Sequence, residues 1–152
     1  MTDTYDIARM TLDIIPLVMR VMSGEMRSTD WAMNPGQMPV MGALIRRRYT
    51  LSDLAERLSV SAPSMSATVS TLEARGWLTR ERDTDDRRIV WIALTEEGQR
   101  AYEDSQRQVA ERIALLLEPL SSDEREQLAG SLELLASTFA QAMERDPLLR
   151  QT

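Results

Sequence analysis

Ser61, Ser64, Ser66 and Ser70 recur at short steps, and Arg75, Arg80, Arg82, Arg87 and Arg88 follow them within one compact stretch. Short hydroxyls exchange hydrogen bonds with base edges and phosphate oxygens at close range, and guanidinium forks match phosphate and guanine. That is the chemistry of reading a nucleic-acid groove. Bond-making chemistry has little to draw on, because the chain contains no His and no Cys. Their absence removes imidazole acid–base catalysis, thiolate nucleophiles, disulfides and most zinc or iron sites. The acids fall mainly at exposed helical positions rather than as apolar-flanked pairs, so an enzyme is the weakest reading. No cofactor and no metal are expected.

The elements that must carry these groups lie between residues 51 and 95. Leu54, Ala55 and Leu58 form the narrow apolar stripe of a short helix, and Ser59 and Ser61 bracket Val60 in a turn. Ser61 suits the N-cap of a second helix, with Pro63 in its first turn and Gly76 as its stop. Met65, Val69 and Leu72 recur at helical spacing and form the seam to be buried. Ser64, Ser66, Ala67, Ser70 and Thr71 are left facing outward. A merely solvated helix would carry Glu, Lys and Arg there, since these favour helix and solubility. Small hydroxyls fit a surface that another body approaches closely; that body is a DNA groove or another helix of the same protein.

Residues 77–82 and 89–94 are rich in β-branched and aromatic side chains and predict a hairpin, with the charged tip at 83–88. Asp83, Thr84, Asp85 and Asp86 would serve an ordinary solvated turn. Arg87 and Arg88, however, stand where a wing presents cations to the narrow, negative minor groove.

Leu51 to Arg80, LSDLAERLSVSAPSMSATVSTLEARGWLTR, followed by DDRR and then ALTEEG, resembles the winged helix-turn-helix of the MarR family of bacterial transcriptional regulators. The close match covers about a third of the chain, and its most specific parts are Asp85-Asp86-Arg87 and Leu94-Thr95-Glu96-Glu97-Gly98. The resemblance implies a homodimer on a pseudo-palindromic operator, usually repressing, released by a small and often aromatic, anionic molecule. The lack of cysteine departs from the thiol-based oxidant sensors of that family.

The length of 152 residues allows one domain with a substantial core, or a DNA-binding lobe sharing its core with a helical dimerisation lobe. Net charge is −6, but its distribution matters more than its sum. Residues 44–95 carry nine arginines against seven acids, whereas residues 96–152 carry six against twelve. The positive segment is the one assigned to DNA. No signal-peptide pattern heads the chain and no apolar run approaches a membrane span, so the expected location is the cytoplasm, with no membrane partner.

Residues 5–27 read as a first helix whose Ile7, Met10, Ile14, Ile15, Leu17, Val18, Val21 and Met22 cover more than one face, predicting burial against two neighbours. Pro16 predicts a kink or two helices meeting near residue 15. The resemblance puts this helix in a dimer interface; the alternative is a monomeric core. Met22, Met26, Trp31, Met38 and Met41 suggest a deformable lining for a small ligand, or else ordinary gap-filling core. Residues 37–48 predict a second helix ending in Arg46, Arg47 and Arg48, which complement its dipole, touch phosphate, or hold an anionic effector through Arg46. A short strand is expected near residues 49–51. Thr95 caps a long helix with Ala101, Val109, Ile113, Leu116, Leu117 and Leu120, ended by Pro119; Ser121 with Glu124 opens a last one striped by Leu128, Leu132, Leu135, Phe139 and Met143.

The expected fold is mainly α with a small β-wing. Residues 1–36 supply the N-terminal helix and loop of a dimerisation lobe, 37–98 the winged helix-turn-helix lobe, and 99–152 the C-terminal helices of the dimerisation lobe. The expected function is a dimeric, ligand-released repressor on double-stranded DNA. The alternatives are a winged-helix module for protein contact and a constitutive DNA binder without effector.

Overall fold

The computed structural model describes residues 3–25, 33–34 and 36–145. Among these run α1 (Thr4–Glu25), α2 (Met38–Leu44), β1 (Tyr49–Thr50), α3 (Leu51–Arg57), α4 (Ala62–Ala74), β2 (Leu78–Arg82), β3 (Val90–Leu94), α5 (Glu96–Leu117) and α6 (Ser122–Arg145). The strands make one antiparallel sheet in the order β1-β3-β2. Tyr49 faces Ile92 across β1 and β3, while Leu78 faces Leu94 and Arg82 faces Val90 across β2 and β3. This is the mainly helical chain with a β-wing that the hydrophobic periods predict.

The core gathers α2, α3, α4 and the sheet around Met41, Leu54, Met65, Val69, Leu72 and Ile92, all essentially sealed from solvent. Met65, Val69 and Leu72 are the seam expected of α4, because one helical face recurs every three to four residues. Side-chain caps define the helix starts. Thr50 and Asp53 form a reciprocal capping box on α3, Ser61 accepts from the Ser64 N–H, Thr95 caps α5 at Gly98, and Ser121 and Glu124 cap α6 reciprocally.

A close approach joins α5 to the end of α4. Thr95 donates through its hydroxyl to the Gly76 carbonyl at 2.6 Å and through its N–H to the Trp77 carbonyl at 3.0 Å. A Cβ on Gly98 would stand 2.1 Å from that Trp77 oxygen, so only glycine fits. Gly76 itself ends α4 with φ +75°, a conformation glycine adopts without a Cβ clash.

Three expectations need correction. α1 runs unbroken through Pro16, so no pair of helices meets near residue 15. One lost hydrogen bond on an exposed helix leaves a carbonyl that water can satisfy. The second helix stops at Leu44, because Tyr49 must already be extended to pair with Ile92; the three arginines therefore lie beyond it rather than in its last turn. Finally, Ile7, Met10, Ile14, Ile15, Leu17 and Val18 of α1 are exposed rather than covered by neighbours within the chain. The same holds for Leu116 on α5 and for Leu132, Phe139 and Met143 on α6, a helix with no buried residue. Among the described residues no helix is long and apolar enough to cross a membrane.

Candidate nucleic-acid interface

With its seam buried, α4 turns Ser64, Ala67, Ser70 and Thr71 to solvent and leaves Ser66 half-exposed. Some of these hydroxyls are already engaged: Ser61 donates to the Ser64 hydroxyl at 2.9 Å, and Thr71 donates to the Ala67 carbonyl at 2.9 Å. Ser66 and Ser70 have no side-chain hydrogen bond among the described residues. They are available for an outside partner.

The wing is gripped on both of its faces. Side chains alternate across a strand, so Arg80, opposite the buried Ile92, looks toward the helices, whereas Glu81, opposite Trp91, looks away. On the inner face Arg80 Nε donates to Glu73 Oε2 of α4 at 3.0 Å. On the outer face Arg48 lies 3.7 Å from Glu81 and 3.8 Å from Asp83, with its guanidinium 4.9 Å from the centre of the Trp91 ring.

Asp83 organises the tip. Its carboxylate accepts from the Trp91 indole N–H at 2.6 Å, and from the Asp85 and Asp86 N–H groups at 2.9 and 3.1 Å. These donors, led by the indole, favour the ionised form and lower its pKa to about 2, with Arg48 adding a smaller attraction. Asp86 in turn takes the fork of Arg88 through both oxygens, at 3.0 and 2.8 Å, which lowers its own pKa. Arg87 is exposed and makes no side-chain hydrogen bond or ion pair among the described residues. The tip thus holds Arg88 in place and leaves the preceding Arg87 exposed.

The nine residues expected at a DNA surface fall into distinct settings. Ser61, Ser64, Ser66 and Ser70 share α4. Arg82 and Arg87 are exposed without side-chain partners among the described residues, Arg80 and Arg88 are paired with acids, and Arg75 lies over the Trp77 ring at 5.0 Å. Sequence reading takes Arg48 as a helix-end charge and does not join it to Trp91, because their association is purely tertiary. Arg47 and Arg48 instead border an open depression of about 460 Å³ on the flank of the lobe, with Tyr49 and Arg57.

Of the residues expected to line a ligand pocket, the described side chains are those of Met38, Met41 and Arg46. Met38 and Met41 are buried in the core beside Met33, so they act as the gap-filling alternative. Arg46 is exposed. The side chain of Met22, together with Met26 and Trp31, lies outside the described residues.

Known proteins share this architecture. The profile of the MarR family matches residues 33–89. The HTH-type transcriptional repressor MdtR of Bacillus subtilis is 29% identical over 115 residues, which span 75% of this chain and 72% of that protein. The crystal structure of the YusO protein of Bacillus subtilis superposes with a TM-score of 0.68 at 25% identity, covering 88% of this chain and 94% of that one. Streptococcus pneumoniae FabT, solved in complex with DNA, shares the fold with a TM-score of 0.62 at 19% identity, over 92% of this chain and 99% of that one. The capped reading helix, the two-stranded wing and these matches together make the chain a member of the MarR family of helix-turn-helix transcriptional regulators.

Proposed function

We propose that two copies of this chain bind a pseudo-palindromic operator in double-stranded DNA and repress transcription, and that a small, aromatic or anionic ligand releases them. One observation carries the DNA reading: α4 buries Met65, Val69 and Leu72 and offers solvent a face of small and hydroxylic residues, while its acid Glu73 is held by Arg80 at 3.0 Å. In this reading Ser61, Ser64, Ser66 and Ser70 approach bases and phosphates in the major groove. Arg75 and Arg82 neutralise backbone, and Arg80 reaches it only by sharing Glu73. Arg87 enters the minor groove while Arg88 stays with Asp86.

The exposed apolar faces of α1, α5 and α6 support dimerisation, since contiguous apolar surface of this extent is covered in stable soluble proteins. Residues 1–36 and 99–152 then form the dimerisation lobe and residues 37–98 the reading lobe. A closed twofold pair sets two reading helices about one DNA turn apart. Ligand release rests on the family alone; the ligand must bind better to a spacing of the two heads that does not fit DNA. The cytoplasm is where such a bacterial repressor works. Mixing the protein with its own upstream DNA and with a scrambled duplex tests the reading. Selective retention of the upstream duplex by a two-chain species is expected, and no retention of either duplex would make the fold a protein-contact module.

A further inference from the structure

Arg48 sits outside the helix-turn-helix and outside the wing, yet it touches three parts of the hairpin. Its guanidinium lies 3.7 Å from Glu81 on β2, 3.8 Å from Asp83 at the tip and 4.9 Å from the Trp91 ring on β3. Glu81 and Trp91 are cross-strand partners, so one planar cation spans the outer face of the ribbon. The same Asp83 takes the Trp91 indole N–H at 2.6 Å and the N–H groups of Asp85 and Asp86. Arg48 is thereby joined, through one carboxylate, to the turn that presents Arg87. On the opposite side Tyr49 anchors β1 to Ile92, so Arg48 is fixed to the core at its own backbone.

We infer that Arg48 is a positioning residue for DNA reading: it sets the pitch of the wing, and with it the reach of Arg87, without touching DNA. The inference rests on the wing contact proposed above. Its geometric half, Arg48 acting on Trp91 and Asp83, holds in the free protein. The Arg80–Glu73 pair holds the inner face of the hairpin to α4, and on the outer face Arg48 holds it to the two-residue β1. The guanidinium is suited to the task because it can face two carboxylates and lie over an aromatic ring at once. An ammonium would keep the charge and lose the planar contact.

The test uses the full chain and the variants Arg48→Ala, Arg48→Lys, Arg87→Ala and the Arg48→Ala/Arg87→Ala double variant. In the free protein, the indole N–H resonance of Trp91, assigned with Trp91→Phe, should move in Arg48→Ala and move less in Arg48→Lys. In anisotropy against the upstream duplex, Arg48→Ala should weaken binding several-fold and lower the salt slope by no more than Arg87→Ala does. Arg87→Ala should cost at least about threefold less in the Arg48→Ala background than in the wild type. A double variant whose slope falls by about one further unit below that of Arg87→Ala alone would make Arg48 a phosphate contact and overturn the inference. Strictly multiplicative effects of the two substitutions, or an unmoved indole signal, would overturn it as well. A moved indole signal in a wild-type protein that binds no DNA would sink the DNA reading while leaving the clamp in place.

Discussion

Arg80 Nε stands 3.0 Å from Glu73 Oε2, so the first strand of the wing is tied directly to the reading helix α4. Both side chains are about one-third exposed, and an ion pair so placed contributes little to overall stability. Arg80→Ala should therefore lower unfolding stability by less than about 1 kcal/mol. Because the guanidinium is already shared with an acid, the same variant should change the salt slope of DNA binding by less than a full unit. Urea denaturation and salt-dependent anisotropy check the two halves; a full-unit loss of slope would return Arg80 to the role of a simple phosphate contact.

Arg87→Ala removes the exposed tip arginine that has no internal side-chain partner among the described residues. Operator affinity should fall, and the salt slope should drop by about one unit if one phosphate-type contact is lost. Thermal stability should stay as it was. Arg88→Ala should instead loosen the tip by freeing Asp86, with a smaller change in slope, and comparing the two slopes separates presentation from support.

Gly98→Ala places a methyl group 2.1 Å from the Trp77 carbonyl oxygen, where the obstacle is backbone and cannot swing aside. The junction between α5 and the end of α4 must open, at a cost of roughly 3 kcal/mol by the usual scale of overpacking. Chemical denaturation of the variant reads this directly, and a loss below about 1 kcal/mol would mean the junction is softer than its hydrogen bonds to Thr95 imply.

Asp83 gives the wing a pH dependence. Its pKa is lowered from 3.8 to about 2 by the Trp91 indole first, then by the Asp86 and Asp85 N–H groups, against desolvation, with Arg48 adding a smaller attraction. A depressed carboxylate stabilises the fold above its unfolded pKa, and that contribution fades as pH falls through the folded value. The Trp91 indole resonance should thus be constant from neutral pH down to about 4 and then shift between about 4 and 2. In Asp83→Asn this acid transition should vanish; its persistence would assign it to another carboxylate.

Leu132→Glu with Phe139→Glu puts two acids on the exposed apolar stripe of α6. If that stripe is covered by a second copy, burying the unpaired charges disfavours association by about 2 kcal/mol or more each. Sedimentation should then show a single-chain mass where the wild type shows a pair. An unchanged mass would move the dimer contact off α6.

Much of the reading lobe was legible because its signals are local. Ser61, Thr95 and the Ser121–Glu124 pair are caps that a few neighbouring residues define, and the Met65, Val69 and Leu72 seam follows from one helical period. The end of α2 was not legible, since Tyr49 leaves the helix for a strand partner, Ile92, far along the chain. Arg48 was read as a helix-end charge for the same reason. Its partners Glu81, Asp83 and Trp91 meet it only through the sheet order β1-β3-β2. The apolar breadth of α1 predicts burial against neighbours, yet those side chains are exposed among the described residues, because hydrophobic period does not say what covers a face. Met38 and Met41 show the limit for pockets, because the same flexible side chains fill a core as readily as they line a cavity.

The most direct test of DNA reading by α4 and the wing is fluorescence anisotropy of the full chain with its own upstream duplex and a scrambled duplex, across salt concentrations. Tighter binding to the upstream duplex, with affinity falling steeply and log-linearly with salt, is the predicted result. No binding to either duplex at low salt would contradict the account.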